Sequence, residues 1–237
     1  MRLDKLLGTI NIATRSTCPK LLSQGRITVN GTAVRSANTQ VTEQDEICLD
    51  GKKLDTRLNR CLVMDKPDGV LTADEDRRFQ TVMDLLPPVY RTLGCMPVGR
   101  LDKDTTGLLL MTTDGQLAHR LITPKCHVAK VYIAEVDGTL DESDIKAFRE
   151  GIPLKDFTCL PAELEITEEG HGRVTVYEGK YHQVKRMFGA RGKPVTRLRR
   201  VSFGPFTLPE DSEPGTWREM TEEEMDTLYE AAGMARA

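Results

Sequence analysis

The chain lacks paired cysteines. Its 237 residues include six cysteines, scattered without any Cys-x-x-Cys spacing, at positions 18, 48, 61, 95, 126 and 159. A small secreted disulfide scaffold would have a denser set, and a structural zinc site would have paired ligands. His119, Cys126 and His127 come nearest to a ligand group, but their spacing fits no zinc pattern. We therefore expect no metal site.

Long apolar runs are absent as well. No stretch approaches the roughly 18 consecutive apolar residues of a membrane-spanning helix. The N-terminus, Met1 to Lys5, alternates charged residues with leucine and lacks the apolar core of a signal peptide. The length allows one good-sized core, or a small domain beside a larger one. These features predict a cytoplasmic protein that does not bind a membrane.

The net charge of −3 conceals a strong segregation of charge. Residues 1–37 carry six Lys or Arg against one Asp, and residues 179–203 carry eight and no acid. Residues 209–230 instead carry nine acids against Arg218. A basic arm, a basic inner segment and an acidic tail are compatible with RNA binding, and equally with ordinary solvated surface charge.

The first fifty residues predict a compact unit. Apolar residues recur at helical spacing in two segments, Leu3, Leu6, Leu7, Ile10 and then Cys18, Leu21, Leu22. Residues 26–34 are typical of two strands joined by an Asn-Gly turn, and Val41 with residues 47–49 suggests a further short strand pair. The polar residues 50–57 are interpreted as a linker.

Strands and helices mix beyond that linker. Strand-like composition marks residues 61–64, 108–111, 131–136 and 173–177. Helices fit residues 116–122, 141–150, 181–190 and 221–231, the last of which begins with a capping-box pattern, Thr221 to Glu224. Short strands with few intervening helices predict an α+β fold with a mixed, mainly antiparallel sheet.

The N-terminal segment resembles a known module. Residues 2–6, Thr14-Arg15 and residues 25–31 are similar to the S4 domain, an RNA-binding module first known from a ribosomal protein. The resemblance implies that basic side chains contact RNA phosphates without reading sequence, namely Arg2, Lys5, Arg15, Lys20 and Arg26. Pro19 departs from the pattern, because proline is tolerated only in the first turn of a helix. The second helix is therefore expected to begin late, at Ser16 or Thr17. A helical cap without RNA contact is the alternative.

The most informative stretch is Gly99-Arg100-Leu101-Asp102-Lys103-Asp104-Thr105-Thr106-Gly107. Its spaced carboxylates mimic the start of a calcium loop, but the twelfth position of that loop is Thr113 rather than the required Glu. A second interpretation is that Asp102 only caps a turn or helix.

Four segments in one order favour a third interpretation. Residues 99–115, together with Lys66-Pro67-Asp68-Gly69, Lys130-Val131-Tyr132 and residues 178–187, resemble the motifs of the ribosomal RNA pseudouridine synthases. The form Tyr-His-Gln-Val-Lys-Arg-Met at residues 181–187 is most similar to the branch that acts on the small ribosomal subunit. The resemblance implies that the protein isomerises one uridine of 16S RNA. The usual target of this branch is uridine 516.

The resemblance also implies roles for single residues. Asp102 acts as a nucleophile on the sugar or base, or as a base that removes a sugar proton. Lys185 supplies the cation that offsets the burial of this carboxylate. It lies at the edge of a predicted apolar face that includes Tyr181, and without the resemblance would be a snorkelling surface residue. Tyr132 shares a strand face with Lys130 and stacks on the extruded base; a core tyrosine is the alternative.

The remaining predictions concern binding and organisation. Arg100, His182 and Arg186 are expected to hold the RNA strand. An S4 domain with its linker is expected at residues 1–57, and a catalytic domain with a central cleft at residues 58–237. No cofactor is needed because the reaction is a redox-neutral isomerisation. The partner is small-subunit ribosomal RNA, free or in an assembling particle, bound by a monomer. The alternatives are a large-subunit (23S) RNA synthase and a non-catalytic ribosome assembly factor.

Overall fold

The computed structural model describes residues 1–168 and 170–236. These residues form two compact units. The first comprises Met1–Arg60 together with Leu86–Cys95, and the second comprises Cys61–Leu85 and the chain from Met96 onward. The predicted domain boundary at residue 57 lies close to the end of the first segment. Residues 86–95, which that boundary assigned to the second domain, belong to the first unit. None of the described helices is long and apolar enough to cross a membrane.

The first unit packs short helices on a small sheet. Helices α1 (Leu3–Thr9) and α2 (Cys18–Ser23) precede four strands, and α3 (Pro88–Thr92) belongs to the same unit. The strands are β1 (Ile27–Val29), β2 (Thr32–Ala33), β3 (Ile47–Leu49) and β4 (Lys52–Lys53), antiparallel in the order β2-β1-β3-β4. The apolar positions predicted from helical spacing lie in its core, with Leu3, Leu7, Leu22 and Ile27 almost fully buried.

The linker interpretation of residues 50–57 was wrong in its first half. Asp50 and Gly51 form a turn with φ angles of +50° and +78°, and β4 follows them. Asn30 and Gly31 make the same turn, with φ angles of +50° and +78°. Two hairpins with paired positive φ angles are therefore present, and both use the Asn/Asp-Gly residues that such turns require.

The second helix does begin late, one residue beyond Thr17, the later of the predicted Ser16 and Thr17. α2 begins at Cys18 with Thr17 as its N-cap, so Pro19 lies in the first turn. The missing N–H of proline costs nothing there, because the first four N–H groups of a helix have no intrahelical acceptor.

The second unit is built on one large sheet. Its described strands are β5 (Cys61–Lys66), β6 (Met96–Pro97), β7 (Thr105–Thr112), β8 (Lys130–Val136), β9 (Glu163–Glu168), β10 (His171–Val176), β11 (Val195–Phe203), β12 (Phe206–Thr207) and β13 (Trp217–Glu219). The order is β13-β5-β7-β11-β8-β10-β9, with β6 on β7 and β12 on β11. β7 and β11 pair in parallel and the other described pairs are antiparallel. The predicted α+β fold with a mixed, mainly antiparallel sheet is confirmed.

Burial explains which strands are central. All six residues of β5 and seven of the eight in β7 are buried, as expected for strands covered on both faces. β8 instead alternates between buried and half-buried residues. Gly107 allows the close pairing of β7 with β11: its φ is +101°, and a Cβ atom there would lie 2.2 Å from the carbonyl oxygen of Arg200.

Four longer helices complete the second unit: α4 (Gly115–Ile122), α5 (Glu142–Glu150), α6 (Gln183–Ala190) and α7 (Glu222–Ala231). Asp114 caps α4, and Asp141 with Asp144 forms a capping box on α5. The capping box predicted at Thr221 and Glu224 is confirmed. The acidic tail is consequently not a loose tail, because it contains β13 and this capped helix.

The basic inner segment is the main correction. Residues 179–203, whose eight cations suggested an RNA-facing surface, include the central strand β11. Arg199 pairs with the buried Asp65 at 2.7 Å, and Arg191 pairs with the buried Asp144 at 2.8 Å. Lys193 also contacts Asp144. Several of these charges therefore balance buried carboxylates of the protein itself.

Candidate active site

Lys66 holds the loop that carries Asp102 through hydrogen bonds to its backbone. The Lys66 ammonium, at the end of β5, donates hydrogen bonds to the carbonyl oxygens of Lys103 at 3.0 Å and Thr105 at 2.9 Å. On the other side of Asp102, the Thr72 hydroxyl donates to the Leu101 carbonyl at 2.8 Å. The backbone on both sides of Asp102 is thus held by buried groups, which limits the movement of the carboxylate.

Lys66 is fully buried, which is unusual for a lysine side chain. Its third hydrogen bond goes to the Pro67 carbonyl at 2.9 Å, so all three ammonium protons have acceptors. Burial lowers the pKa of Lys66 to about 8, although the carboxylates of Asp68, Asp104 and Asp102 act in the opposite direction. A buried lysine that is bonded only to carbonyl oxygens costs stability, and here it positions the loop.

The Asp102 carboxylate contacts two side chains. Lys185 Nζ lies 3.2 Å from Oδ2, and His182 Nε2 lies 3.4 Å from Oδ1. The Asp102 side chain is 27% exposed, so a substrate can reach it. Among the described residues, its carboxylate has these side chains as partners rather than the backbone N–H groups that a cap would bind. The capping interpretation is not supported.

Lys185 is shared between two carboxylates. It projects from the first turn of α6, and its Nζ lies 2.5 Å from Asp104 as well as 3.2 Å from Asp102. Burial acts to lower the pKa of Lys185, but the hydrogen bonds and charges of Asp104 and Asp102 outweigh it and raise the pKa above its ordinary value. The hydrogen bond from Lys185 in turn lowers the pKa of Asp104. Asp104 is therefore part of the charge network and more than a turn-shaping residue.

The segment before α6 differs from its prediction. The helix begins at Gln183, not at residue 181, and its N-cap His182 adopts a left-handed conformation with φ of +49°. The prediction that Tyr181 belongs to the apolar helical face is wrong, because this residue is 77% exposed. Its ring stacks on the His182 imidazole with centroids 3.9 Å apart. This left-handed turn points His182 towards Asp102.

Tyr132 lies on the buried face of β8, which it shares with Lys130 as the strand alternation predicted. It lines a cavity of about 710 Å³ that is also lined by Asp102, His182 and Arg100. A smaller cavity also includes Tyr132 and Asp102, together with Glu178 and Gln183. The tyrosine ring and the carboxylate thus face the same space, wide enough for an extruded nucleotide.

The predicted RNA-binding residues are in different situations. Arg100 is exposed at the rim of the cavity, and His182 contacts Asp102. Arg186 pairs with Asp156, Arg2 pairs with Asp4 at 2.6 Å, and Arg26 pairs with Asp50. Lys5 and Arg15 are exposed on the first unit. Binding of RNA by any of them stays a prediction.

Metal ligands do not cluster in the part of the chain that the structure describes. Within residues 1–168 and 170–236, no group of three or more His, Cys, Asp or Glu side chains could hold an ion. Asp102 and Asp104 are held by Lys185 instead of facing each other across a cation site.

The family model for RNA pseudouridylate synthases matches residues 60–190, which include Asp102, Tyr132 and Lys185. The chain belongs to the RNA pseudouridine synthases. The S4 domain model matches residues 1–47, so the predicted RNA-binding module is present in this synthase.

Relatives match the synthase over nearly its whole length. An uncharacterized RNA pseudouridine synthase of Bacillus subtilis is 40% identical, covering 97% of this chain and 99% of its own. The ribosomal small subunit pseudouridine synthase A of Vibrio cholerae is 39% identical, covering 97% and 100%, and that of Escherichia coli is 37% identical, covering 96% and 100%. A crystal structure of a pseudouridylate synthase is 35% identical with a TM-score of 0.67 and covers 96% of this chain and 99% of its own.

Sequence reasoning missed several residues of the synthase pocket. The motif that contains Lys66 suggests no role for this lysine, and Arg200 is one cation among many in a basic segment. Arg200 is only 2% exposed and lines the large cavity. A strand period in which Leu198, Arg200 and Ser202 share one face would have indicated that Arg200 is buried. The many charged residues of the segment obscured this pattern.

Proposed function

We propose that this synthase converts one uridine of small-subunit (16S) ribosomal RNA into pseudouridine, with Asp102 as the residue that starts the reaction. By the family resemblance, the target is uridine 516. The observation that supports this best is the arrangement of Asp102 beside Lys185 and facing the cavity that Tyr132 lines. The full-length similarity to small-subunit synthases of Vibrio cholerae and Escherichia coli supports the choice of RNA.

Each residue has a distinct part in the proposed reaction. The target base leaves its stack and enters the cavity, where Tyr132 stacks on its ring. Asp102 then breaks the glycosidic bond, as a nucleophile or as a base that removes a sugar proton. Lys185 offsets the negative charge of Asp102, and Asp104 holds Lys185 in place. The base rotates, and C5 joins the sugar carbon that N1 has left. Because the reaction transfers no electrons to or from another molecule, no cofactor enters it.

The first unit has a supporting part in this proposal. Its basic side chains Arg2, Lys5, Arg15 and Arg26 bind phosphates of the RNA, while Arg100, His182 and Arg186 hold the strand near the cavity. Arg2, Arg26 and Arg186 exchange their carboxylate partners for phosphates when RNA binds. The synthase acts as a monomer in the cytoplasm, on 16S RNA that is free or in an assembling particle.

Deletion of the gene tests the choice of target. Pseudouridines are mapped in both large ribosomal RNAs of the deletion strain and of the same strain carrying the gene with Asp102→Asn. Loss at one 16S position in both strains, restored by the wild-type gene, is the expected result. Loss only in 23S RNA would move the target to the large subunit. An unchanged map in both RNAs would contradict the proposal.

A further inference from the structure

Two buried cations without acidic partners line the large cavity. Lys130 on β8 and Arg200 on β11 are 5% and 2% exposed. Within the described part of the chain neither forms an ion pair with a carboxylate, whereas the neighbouring Arg199 pairs with Asp65. Buried charges are normally paired, because removing a charge from water costs several kcal/mol that an opposite charge must offset.

Their hydrogen bonds are also incomplete. Arg200 Nε donates to the Leu108 carbonyl at 2.7 Å, but its buried Nη2 has no acceptor among the described residues. Lys130 Nζ donates to the Val128 carbonyl at 3.0 Å, which leaves two of its protons available. An ammonium group carries three N–H donors and a guanidinium group carries five, so both side chains have donors left for acceptors that come from outside the protein.

Strand register brings both cations to the face that carries Tyr132. Arg200 is the register partner of Tyr132, and Lys130 is that of Phe203. The Arg200 guanidinium carbon lies 6.0 Å from the centre of the Tyr132 ring. Lys130 Nζ and the Arg200 guanidinium each lie 5.1 Å from the centre of the Phe203 ring. The cations and the aromatic rings therefore line one side of the cavity that Asp102 also lines.

We propose that Lys130 and Arg200 bind the carbonyl oxygens of the target uracil and stabilise the negative charge on this base when its glycosidic bond breaks. This proposal rests on the proposed function. When the bond between the sugar carbon and N1 breaks, its electron pair stays on the base, which becomes an anion delocalised over N1 and both carbonyl oxygens. Carbon C5 then uses an electron pair of this anion to bond the sugar carbon. On the nucleophilic route this displaces the Asp102 carboxylate from that carbon, and on the proton-abstraction route Asp102 returns the sugar proton. C5 then loses its proton and N1 gains one.

The cavity favours the base over a phosphate as the occupant. Apolar side chains line it beside the two cations, including Leu71, Val98 and Phe203. The backbone phosphates stay linked to neighbouring nucleotides, whereas an extruded base is a free end that can enter a deep pocket. Phosphates can instead meet the exposed cations Arg100 and Lys180, which lie at the rim.

Charge balance supports the same assignment. Lys185 is occupied by Asp102 and Asp104, so a second negative charge on the base needs its own cations. Donors already in place where charge develops are an effective way to accelerate a reaction, since they need no reorganisation. Burial, together with the Arg200 charge, lowers the pKa of Lys130 to about 8, so the protein itself does not compensate these charges. Such a cost is typical of a functional site.

Substitution of the two cations tests the proposal. The variants are Lys130→Met and Arg200→Met. The matched control is Arg197→Met, because Arg197 lies on β11 like Arg200 but is 80% exposed. The probe is a synthetic RNA around the mapped target, with uridine or 5-fluorouridine, labelled in the base, at that position. Fluorine makes uracil a better leaving group. Loss of the parent nucleoside is measured under single turnover at saturating RNA, beside RNA affinity, its salt dependence and the melting temperature.

We expect the uridine rate to fall by about 100-fold in each Met variant, the size of effect seen when one preorganised donor is removed. The 5-fluorouridine rate falls less, because a better leaving group needs less stabilisation. The melting temperature stays equal or rises, and the control behaves as wild type.

Other outcomes overturn the proposal. An unchanged rate would do so, as would an equal loss with both bases. Weaker RNA binding with a flatter salt dependence at an unchanged rate would assign the cations to a phosphate. Unfolding of both Met variants would show that they stabilise the fold. The wild-type enzyme is first assayed on 16S and 23S RNA, so an error in the proposed target is detected separately, and the variants are then tested on the RNA that it modifies.

Discussion

The basic residues of the first unit and those of the catalytic pocket differ in how their charge is balanced. On the first unit, Arg2 and Arg26 are exposed and form pairs with Asp4 and Asp50. In the second unit, Lys66 under the Asp102 loop and Lys130 and Arg200 in the cavity wall are buried. Among the described residues these three cations donate to carbonyl oxygens and not to carboxylates. Exposed pairs contribute little to stability and exchange partners easily, whereas buried unpaired cations persist only where something else requires them. Charge counts in the sequence do not distinguish the two situations.

The largest expected effect comes from Asp102→Asn. Asparagine has nearly the same shape but is neither a strong nucleophile nor a base, so the rate of isomerisation falls by roughly three orders of magnitude or more. RNA affinity stays within a few-fold of wild type, which separates chemistry from binding. Tritium release from C5-labelled RNA under single turnover measures the rate. Normal release would contradict the catalytic assignment of Asp102.

Asp104→Asn sharpens this comparison. Because Asp104 holds Lys185 at 2.5 Å, its loss is expected to slow the reaction by about tenfold, between wild type and Asp102→Asn, since a positioning residue acts only through its partner. The Asp104→Glu variant keeps the charge and should recover part of the rate. A rate of Asp104→Asn equal to wild type would return Asp104 to a purely local role in the turn.

Lys185→Met is expected to lower turnover at pH 7 by about 100-fold, because it leaves the partly buried Asp102 without the cation that it shares with Asp104. Lys185→Arg retains more activity, since the charge is kept although its geometry differs. Rates of both variants are compared at saturating RNA. Equal rates would show that the charge at this position is not what matters.

The buried pocket cations predict a pH dependence of stability. Lys130 has a pKa of about 8 in the folded protein against an ordinary 10.5. Between these values the unfolded chain holds a proton that the folded chain has released, so stability rises with pH across this window; below pH 8 the full cost is present. Lys66 contributes in the same direction and window.

The Lys130→Met variant removes one of these two contributions. Its free energy of unfolding at pH 7 is expected to exceed that of wild type by on the order of 2 kcal/mol, and to rise less between pH 8 and 10.5. Urea unfolding over this range measures both quantities. Lys146→Met, at a position that is 76% exposed, is the control and should follow wild type. An unchanged pH slope would show that Lys130 does not carry a buried charge.

The smallest effects on the reaction rate are expected on the first unit. Replacing Arg2, Lys5, Arg15 and Arg26 by alanine is expected to weaken RNA binding. The slope of the logarithm of the binding constant against the logarithm of the salt concentration becomes shallower by roughly 0.7 to 0.9 for each phosphate that the protein no longer neutralises. The rate at saturating RNA changes little. Filter-binding titrations between low and physiological salt measure the slope. A slope equal to that of wild type would show that these cations do not touch RNA.

The Asp102 loop and most helices could be predicted from sequence because their signals are local. The Asn30-Gly31 turn, the Thr221 capping box and the late start of α2 all follow from the residues involved. The strand β11 could not be recognised in the same way. Its charged residues are typical of a surface. Arg199 and Arg200 become compatible with a central strand only because Arg199 pairs with the buried Asp65 and Arg200 lines the cavity.

Parts of the site also depend on contacts between distant residues. The role of Asp104 becomes visible only when Lys185 lies beside it, and the bracing by Lys66 depends on carbonyl groups that carry no sequence signal. Tyr181 is misplaced by the periodicity because its apolar ring fits a helical pattern, while the left-handed His182 ends that pattern one residue before the helix begins. A backbone conformation of this kind is rare for residues other than glycine and is not encoded by periodicity.

The parallel pairing of β7 with β11 delays formation of the proposed active site while the chain is being synthesised. Asp102 lies just before β7, and Lys185 lies on the helix that precedes β11, far later in the chain. Parallel strands cannot be joined by a tight turn, and contacts between distant segments form slowly. A nascent chain that has not yet released β11 from the ribosome therefore has the carboxylate but neither the strand register nor Arg200. The proposed catalytic pocket therefore forms late in folding, when most of the protein has left the ribosome that made it.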